Sequence, residues 1–553
     1  MSAKRMLVVG IDGATFDLVR PFMEAGDMPT LKALVARGVS GDLESTIPPI
    51  TGPAWASFMT GSNPGRHSVG DFMRRRPNQY TLQPVNSRSV HAVTLWELMG
   101  DAGKNVIVMN VPVTYPASPV NGIMVTGLLT PSSSEDFSYP HNISGELLKK
   151  FDYQVHLREA YSKAGVERYL ADLRQMEAKR LQAAEHLMNK IDWDFCMVHF
   201  VATDAMQHTL WHLIDESHPL HDPQEASRYG GAIRDMYRQV DQALARLIEL
   251  AGEDTTVVVL SDHGFGPLKK YIYLNNWLLE EGFLKLKGDL LTRLKTVLFR
   301  LGFTPEFLYR TIQRIGLAKF AFRAGKGTRY GLMKLLFLSA ANIDWSKTVA
   351  YSYGNIGQIY LNVEGREPEG IVSREDYPAV RARIAERLKT LSDPETGEAV
   401  IGQIFMREDI YSGPYLEEMA DIIMLPDDLS YQAAGLSEFM SNAVMRQSFA
   451  YSGGHRMNGI FAAAGEEIKS GGTVEGARLI DVGPTILYLM GLPVPDHMDG
   501  QILSQAIQDA ALAARPPRFF NLESDGGFDG DSGLSEQEEE EVVRRLRDLG
   551  YVS

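Results

Sequence analysis

What most constrains this chain is where its acidic and histidine residues fall relative to short apolar runs. Asp12 ends the run Met6–Ile11, Asp204 follows Phe195–Phe200, and Asp262-His263 follow Thr255–Leu260. Two further runs, Asn105–Met109 and Ala420–Leu425, have the same Val/Ile/Leu character and are bounded by polar residues. Runs this short and this apolar predict buried strands of a largely parallel sheet. Helical stretches lie between them; in Met28–Arg37, Pro29 suits a first helical turn. Strand and helix alternating at this spacing predict a three-layer α/β/α sandwich. In such sheets ligands gather beyond the carboxyl ends of the strands, so the three polar clusters are expected to share one site.

Composition narrows the class. With 553 residues the chain exceeds one ordinary domain, and insertions or two to three domains are expected. A formal charge of -15 argues against a nucleic-acid polymer as partner, which calls for a basic surface. The single cysteine, Cys196, rules out an internal disulfide framework and an all-thiolate metal site. The first residues run straight into Met6–Ile11, with no signal-peptide pattern, and no apolar run is long enough to span a bilayer. A soluble cytoplasmic protein is expected.

The catalytic core is expected in two parts, residues 1–270 and 345–510. A helical insertion around 144–191 interrupts the first part, and a basic helical cap over 271–344 separates the two. Residues 511–553 form an acidic tail, in which Ser535 and Glu538 predict a capping box on a short terminal helix. Between Lys285 and Lys334 the cap carries twelve Lys/Arg against Asp289 and Glu306 alone. Leu290, Leu291, Leu294, Val297, Leu298 and Leu301 are interleaved at helical spacing. Either this is an ordinary amphipathic cap with a solvated basic face, or it meets anionic substrates or lipid head groups.

Asp204 and His208 stand four apart, on one face of a helix. Asp262 and His263 are adjacent, His455 lies in the flexible Ser452-Gly-Gly-His-Arg stretch, and Asp12 adds a fourth locus. Mixed carboxylate and imidazole donors suit Zn²⁺ or Mn²⁺ better than Mg²⁺ or Ca²⁺. Thr51 lies in Pro48-Pro-Ile-Thr-Gly-Pro-Ala-Trp55, a proline-broken turn that opens a helix. It is either the helix N-cap or a hydroxyl placed where free N–H groups favour an anion.

The order of these motifs resembles the alkaline phosphatase superfamily, in particular its nucleotide pyrophosphatase/phosphodiesterase branch. The resemblance rests on Asp12, Thr51-Gly-Pro53, Asp204…His208, Asp262-His263 and Gly454-His455. It extends to Thr60-Gly-Ser-Asn-Pro-Gly-Arg-His67 and to Asp481-Val-Gly-Pro-Thr-Ile-Leu-Tyr-Leu-Met-Gly-Leu492, over most of residues 6–505. Within the superfamily the sequence is most similar to bacterial and archaeal predicted phosphohydrolases or phosphomutases. The resemblance implies an alkaline phosphatase-like fold and two divalent metal ions, zinc first and manganese second. Asp204, His208 and His455 would hold one; Asp12, Thr51, Asp262 and His263 would hold the other. Thr51 would be the nucleophile, passing through a phospho-threonine.

Two positions depart from that pattern. Phe72 stands where the eukaryotic-type diesterases carry a phosphoryl-binding Asn, and His67-Ser68 replaces a usual His-Gly. Lys269 and Asn110 are the candidates to supply the missing substrate contact. Sulfatases share the fold, but Thr51 cannot become a formylglycine and Trp55 stands where their Arg would be. His199, His212, His218 and His221 are read as structural or as standing behind the ligands, and Trp211 and Tyr353 as core or pocket aromatics. The substrate expected is a phosphate ester, nucleotide-like or linked to lipid or sugar, with peripheral membrane contact through the cap as a further expectation. A phosphodiesterase or nucleotide pyrophosphatase is the first reading and a phosphomonoesterase or phosphomutase the second. An anionic-ligand or membrane-surface binding protein with a vestigial metal site is the alternative from another class.

Overall fold

The computed structural model describes residues 5–314, 336–435, 439–449, 451–522 and 532–549. Part of the basic segment (315–335) and of the acidic tail (523–531 and 550–553) lies outside the described residues. The main sheet has ten strands, eight of which position the site: β1 (Met6–Ile11), β2 (Val39–Glu44), β3 (Val106–Met109), β4 (Gly122–Val125), β5 (Ser138–Tyr139), β6 (Phe195–Phe200), β7 (Thr256–Leu260) and β8 (Asn458–Ala464). Their order is β2-β8-β7-β1-β6-β3-β4-β5. The centre, β7-β1-β6-β3-β4, is parallel throughout, in register Met6↔Phe195 and Met6↔Thr256 around β1. β8 joins antiparallel to β7, β2 antiparallel to β8, and β5 antiparallel to β4. Every residue of β1, β3 and β6 is buried, because helices cover both faces of the sheet.

The helices that matter for the site are α1 (Thr51–Thr60), α2 (Val166–Lys190), α3 (Ala202–Leu210), α4 (Leu290–Arg300), α5 (Leu479–Leu489) and α6 (Glu536–Leu549). One hydrophobic core lies on the α2/α3 side of the sheet and another on the α1/α5 side, so the molecule has the three expected layers. α1 approaches the sheet so closely that a Cβ on Gly10 of β1 would stand 2.6 Å from the Trp55 ring, which only glycine avoids. On α6, Ser535 and Glu538 exchange hydrogen bonds as a capping box, and Val542 and Leu546 are buried in the α1/α5 core.

One strand falls elsewhere than expected. The Ala420–Leu425 run forms Ile422–Pro426, but in a separate antiparallel sheet with Gln358–Leu361 and Ile401–Met406. A run buried on both faces looks the same in either kind of sheet, so periodicity could not assign it. That sheet and a second four-stranded one enclose a third core, against which α4 packs through Phe299.

His67 supplies a pH-sensitive contact in the core. Its Nδ1 accepts the Val69 N–H at 3.2 Å, which leaves Nε2–H to donate to Ser57 Oγ at 2.9 Å. Burial pushes this imidazole down to about 3, so the folded state holds it neutral. Between its unfolded value and about 3 the unfolded chain binds the extra proton, so stability falls as pH falls, by about 1.4 kcal/mol per pH unit for this group. His67→Gln is therefore expected to shrink the drop in thermal midpoint between about pH 7 and pH 5, as read by scanning calorimetry.

Candidate active site

Three neighbouring parallel strands deliver the acidic residues to one place. Asp12 follows β1, Asp204 sits in the first turn of α3 just beyond β6, and Asp262-His263 follow β7. Gly13, at φ +66°, turns the chain away after Asp12, and its N–H donates to Asp262 Oδ1 at 3.3 Å. His455 arrives on the strand Gly453–Arg456, which pairs antiparallel with Gly264–Pro267 and sets His455 opposite Phe265. Thr51 is the first residue of α1; Ile50, not Thr51, is the N-cap, and it makes no side-chain capping bond. That leaves the first N–H groups of α1 without intrahelical partners. Thr51 is buried, and its Oγ1 lies 3.0 Å from His263 Nε2.

The imidazoles are oriented alike. Nδ1 of His208 lies 3.1 Å from the Gly453 carbonyl, Nδ1 of His263 lies 3.0 Å from the Gly264 carbonyl, and Nδ1 of His455 lies 2.8 Å from the Pro49 carbonyl. A carbonyl can only accept, so each ring carries its proton on Nδ1 and turns an Nε2 lone pair inward. The Nε2 atoms of His208 and His455 then face each other at 3.0 Å, with Asp204 Oδ1 at 3.5 and 3.4 Å from them. A tetrahedral ion with bonds of about 2.1 Å has its ligand atoms about 3.4 Å apart. Asp12, Asp262 and His263 form a second cluster of three buried donors within 4.8 Å of one another, as do Asp204, His263 and His455. His263 Nε2 belongs to both, 3.6 Å from Asp12 Oδ1 and 3.9 Å from Asp204 Oδ1.

Electrostatics make the same point. Burial, followed by the charges of Asp262 and Asp204, holds Asp12 well above the ordinary carboxylate range. Burial and then the Asp204 charge push Asp262 up to about 7. Burial raises Asp204 too, but His208, His455 and His263 more than offset it and hold it below the usual range. Burial pushes His208 down to about 4 and His263 well below its ordinary value. Among the described residues, Asp12 Oδ1 and Asp262 Oδ2, both buried, have no hydrogen-bond donor. Buried carboxylates crowded against inward lone pairs form a site that a divalent cation would complete.

The residues behind the site were mostly not singled out from sequence. His199 on β6, one of the histidines read as structural or as standing behind the ligands, places Nε2 2.9 Å from Asp12 Oδ2. Thr203 Oγ1 donates to the Asp12 carbonyl, and Gln207 Nε2 donates to the Gly13 carbonyl. Glu177 on α2 accepts the Val201 and Ala202 N–H groups at 3.0 and 2.7 Å, filling the N-terminus of the helix that carries Asp204 and His208. It is paired with Arg180 at 3.0 Å, and both are buried. The clue in the sequence is an i, i+3 acid–base pair, which on most helices is solvated. Glu177→Ala is expected to cost about 3–5 kcal/mol in denaturant unfolding, because it strands a buried guanidinium. Glu177→Ala/Arg180→Leu is expected to recover part of that loss.

The two candidate substrate contacts sit differently. Asn110 is buried; its Oδ1 accepts the Tyr153 hydroxyl, and its Nδ2 donates to the Thr126 carbonyl at 3.1 Å. Lys269 is half-buried, bonded through its backbone to Ser430 and Ser448, with its charge felt by His218 and Asp428. Phe72 is fully buried, its ring within 3.2 Å of where a Cβ on Gly52 would stand. Trp211 lies against Phe265, and Tyr353 stacks on Tyr360 in the third core. His212, His218 and His221 are tied to Ser452, Leu268 and the His212 carbonyl.

Among the described residues no helix is long and apolar enough to cross a membrane. No curated protein matches the sequence. Among solved structures, phosphonoacetate hydrolase from Sinorhizobium meliloti 1021 in complex with phosphonoacetate is similar at a TM-score of 0.54 and 17% identity, covering 88% of this chain and 95% of that one. Its complex with phosphonoformate gives 0.51 at 15% identity, over 88% and 95%. Human ectonucleotide pyrophosphatase / phosphodiesterase 5 gives 0.48 at 12%, over 90% and 97%. The two hydrolase structures share the α/β fold with its central, mostly parallel sheet. The sequence pattern of type I phosphodiesterase / nucleotide pyrophosphatase matches residues 6–438, and with that span matched this chain belongs to the family, as a phosphoester hydrolase.

Proposed function

We propose that the chain is a two-metal phosphodiesterase or nucleotide pyrophosphatase in which Thr51 attacks phosphorus and is transiently phosphorylated. The single observation that carries the reading is the shared orientation of His208, His263 and His455. Each Nδ1 is held on a backbone carbonyl, and each Nε2 lone pair is turned toward buried carboxylates. Ring N–H groups held in this way are the usual partner arrangement of metal-ligating histidines. Asp204, His208 and His455 would hold one ion, and Asp12, Thr51, Asp262 and His263 the other. The mixed donors favour Zn²⁺, then Mn²⁺. Bound there, the ions would supply positive charge to the nucleophile and to the phosphoryl oxygens.

The chain's own groups do the rest. Thr51 Oγ1 lies 3.0 Å from His263 Nε2, beside the ligand set it would join, and the start of α1 offers N–H groups to the phosphoryl oxygens. His199 and Thr203 keep Asp12 in place, and Glu177 keeps α3 in place. We assign Lys269 to the outer substrate contact. Asn110, with both ends of its amide engaged, would act by shaping the end of β3 rather than by touching substrate. The substrate is a nucleotide-like phosphate ester, in keeping with the family name. Turnover of an aryl phosphodiester faster than the matching monoester, with Zn²⁺ or Mn²⁺ present, tests the reading. Faster monoester turnover would move it to the phosphomonoesterase.

A further inference from the structure

Helix α4 is seated with its apolar side outward. Thr292, Lys295 and Phe299 face the protein: Thr292 Oγ1 accepts from Asn342 Nδ2 at 2.9 Å, and the Phe299 ring packs edge-on against Phe439. Leu290, Leu294, Val297 and Leu301 are 86%, 56%, 55% and 79% exposed. Their i, i+4, i+7, i+11 spacing places them on one face. Leu291 and, on the next helix, Phe307 are also exposed. Surface helices of this length ordinarily point such a stripe at the core. Exposed cations lie on the same stretch of chain, Lys285, Lys287, Arg293 and Arg300, together with the exposed acid Asp289. Over residues 285–314 seven Lys/Arg stand against Asp289 and Glu306, in a chain of net charge -15.

We propose that this face docks on an anionic lipid bilayer, with the leucine side chains entering the acyl boundary and the lysines and arginines meeting the head groups. The occupant follows from the two chemistries together. A second copy of the chain brought face to face would set Arg293 and Arg300 against the same cations. A nucleic-acid polymer offers phosphates but no apolar phase for four leucine-class side chains. An anionic membrane surface offers both, as basic amphipathic helices require. This face belongs to α4 and its surroundings and is independent of the hydrolase reading.

The test is co-sedimentation of the full-length protein with vesicles of phosphatidylcholine alone or doped with phosphatidylglycerol. The wild type is expected to sediment with the doped vesicles, less so as salt is raised, and not with phosphatidylcholine alone. Leu294→Glu/Leu301→Glu should weaken that binding about tenfold or more, and Arg293→Gln/Arg300→Gln roughly tenfold. Both variants should melt cooperatively at the wild-type midpoint, which shows that they are folded. Wild-type protein that ignores doped vesicles would overturn the proposal, as would equal binding by wild type and Leu294→Glu/Leu301→Glu. So would a wild-type dimer in sedimentation velocity that Leu294→Glu/Leu301→Glu disperses, since the face would then belong to a second copy.

Discussion

Thr51→Ala is expected to lower the hydrolysis of an aryl phosphodiester by at least about a thousandfold, whereas Thr51→Ser keeps most of the rate. The asymmetry follows from the site. Serine keeps a hydroxyl at the first residue of α1, within reach of His263 Nε2, and loses only a methyl group. Alanine removes the attacking oxygen. Neither change should unfold the protein: Thr51 does not cap its own helix, and losing its hydroxyl contact with His263 costs about 1 kcal/mol. Steady-state kinetics with a thermal-melt control separates loss of chemistry from loss of fold. Equal rates for Thr51→Ala and the wild type would remove Thr51 from the reaction.

The second large effect is expected on metal removal. A chelator should bring turnover to background, and Zn²⁺ or Mn²⁺ should restore it. Stability should move with it. Burial and neighbouring negative charge hold Asp12 and Asp262 above the ordinary carboxylate range, a repulsion that bound cations would relieve. Cation at a hundredfold excess over its dissociation constant should add about 2.7 kcal/mol per site, a rise of several degrees in thermal midpoint. His208→Ala and Asp262→Asn, one from each proposed ligand set, should each blunt that rise. An unchanged melt and unchanged turnover after exhaustive chelation would exclude metals from both stability and catalysis.

Much of the sheet could be read in the sequence because β1 and β6 are buried on both faces, which leaves uninterrupted apolar runs with sharp polar ends. The same property misassigned Ala420–Leu425, whose partners were invisible to any local pattern. The seven clustered side chains were legible because each follows an apolar run or lies in a short motif. What orients them was not. The carbonyls of Pro49, Gly453 and Gly264 that hold the histidines are backbone groups, and sequence says nothing of where they point. Glu177 lies far along the chain from the helix it caps and looks like a surface ion pair. On α4 the pattern announced an amphipathic helix but not which side would face water, because that depends on what its lobe presents to it.

The central claim is a phosphoryl group carried by Thr51, and stereochemistry at phosphorus tests it most directly. One diastereomer of a chiral aryl phosphorothioate diester would be hydrolysed in heavy-oxygen water and the configuration of the product determined. Attack by Thr51 followed by attack of water is two in-line displacements, each of which inverts, so the account predicts net retention. Net inversion would mean a single direct attack by water and would contradict it.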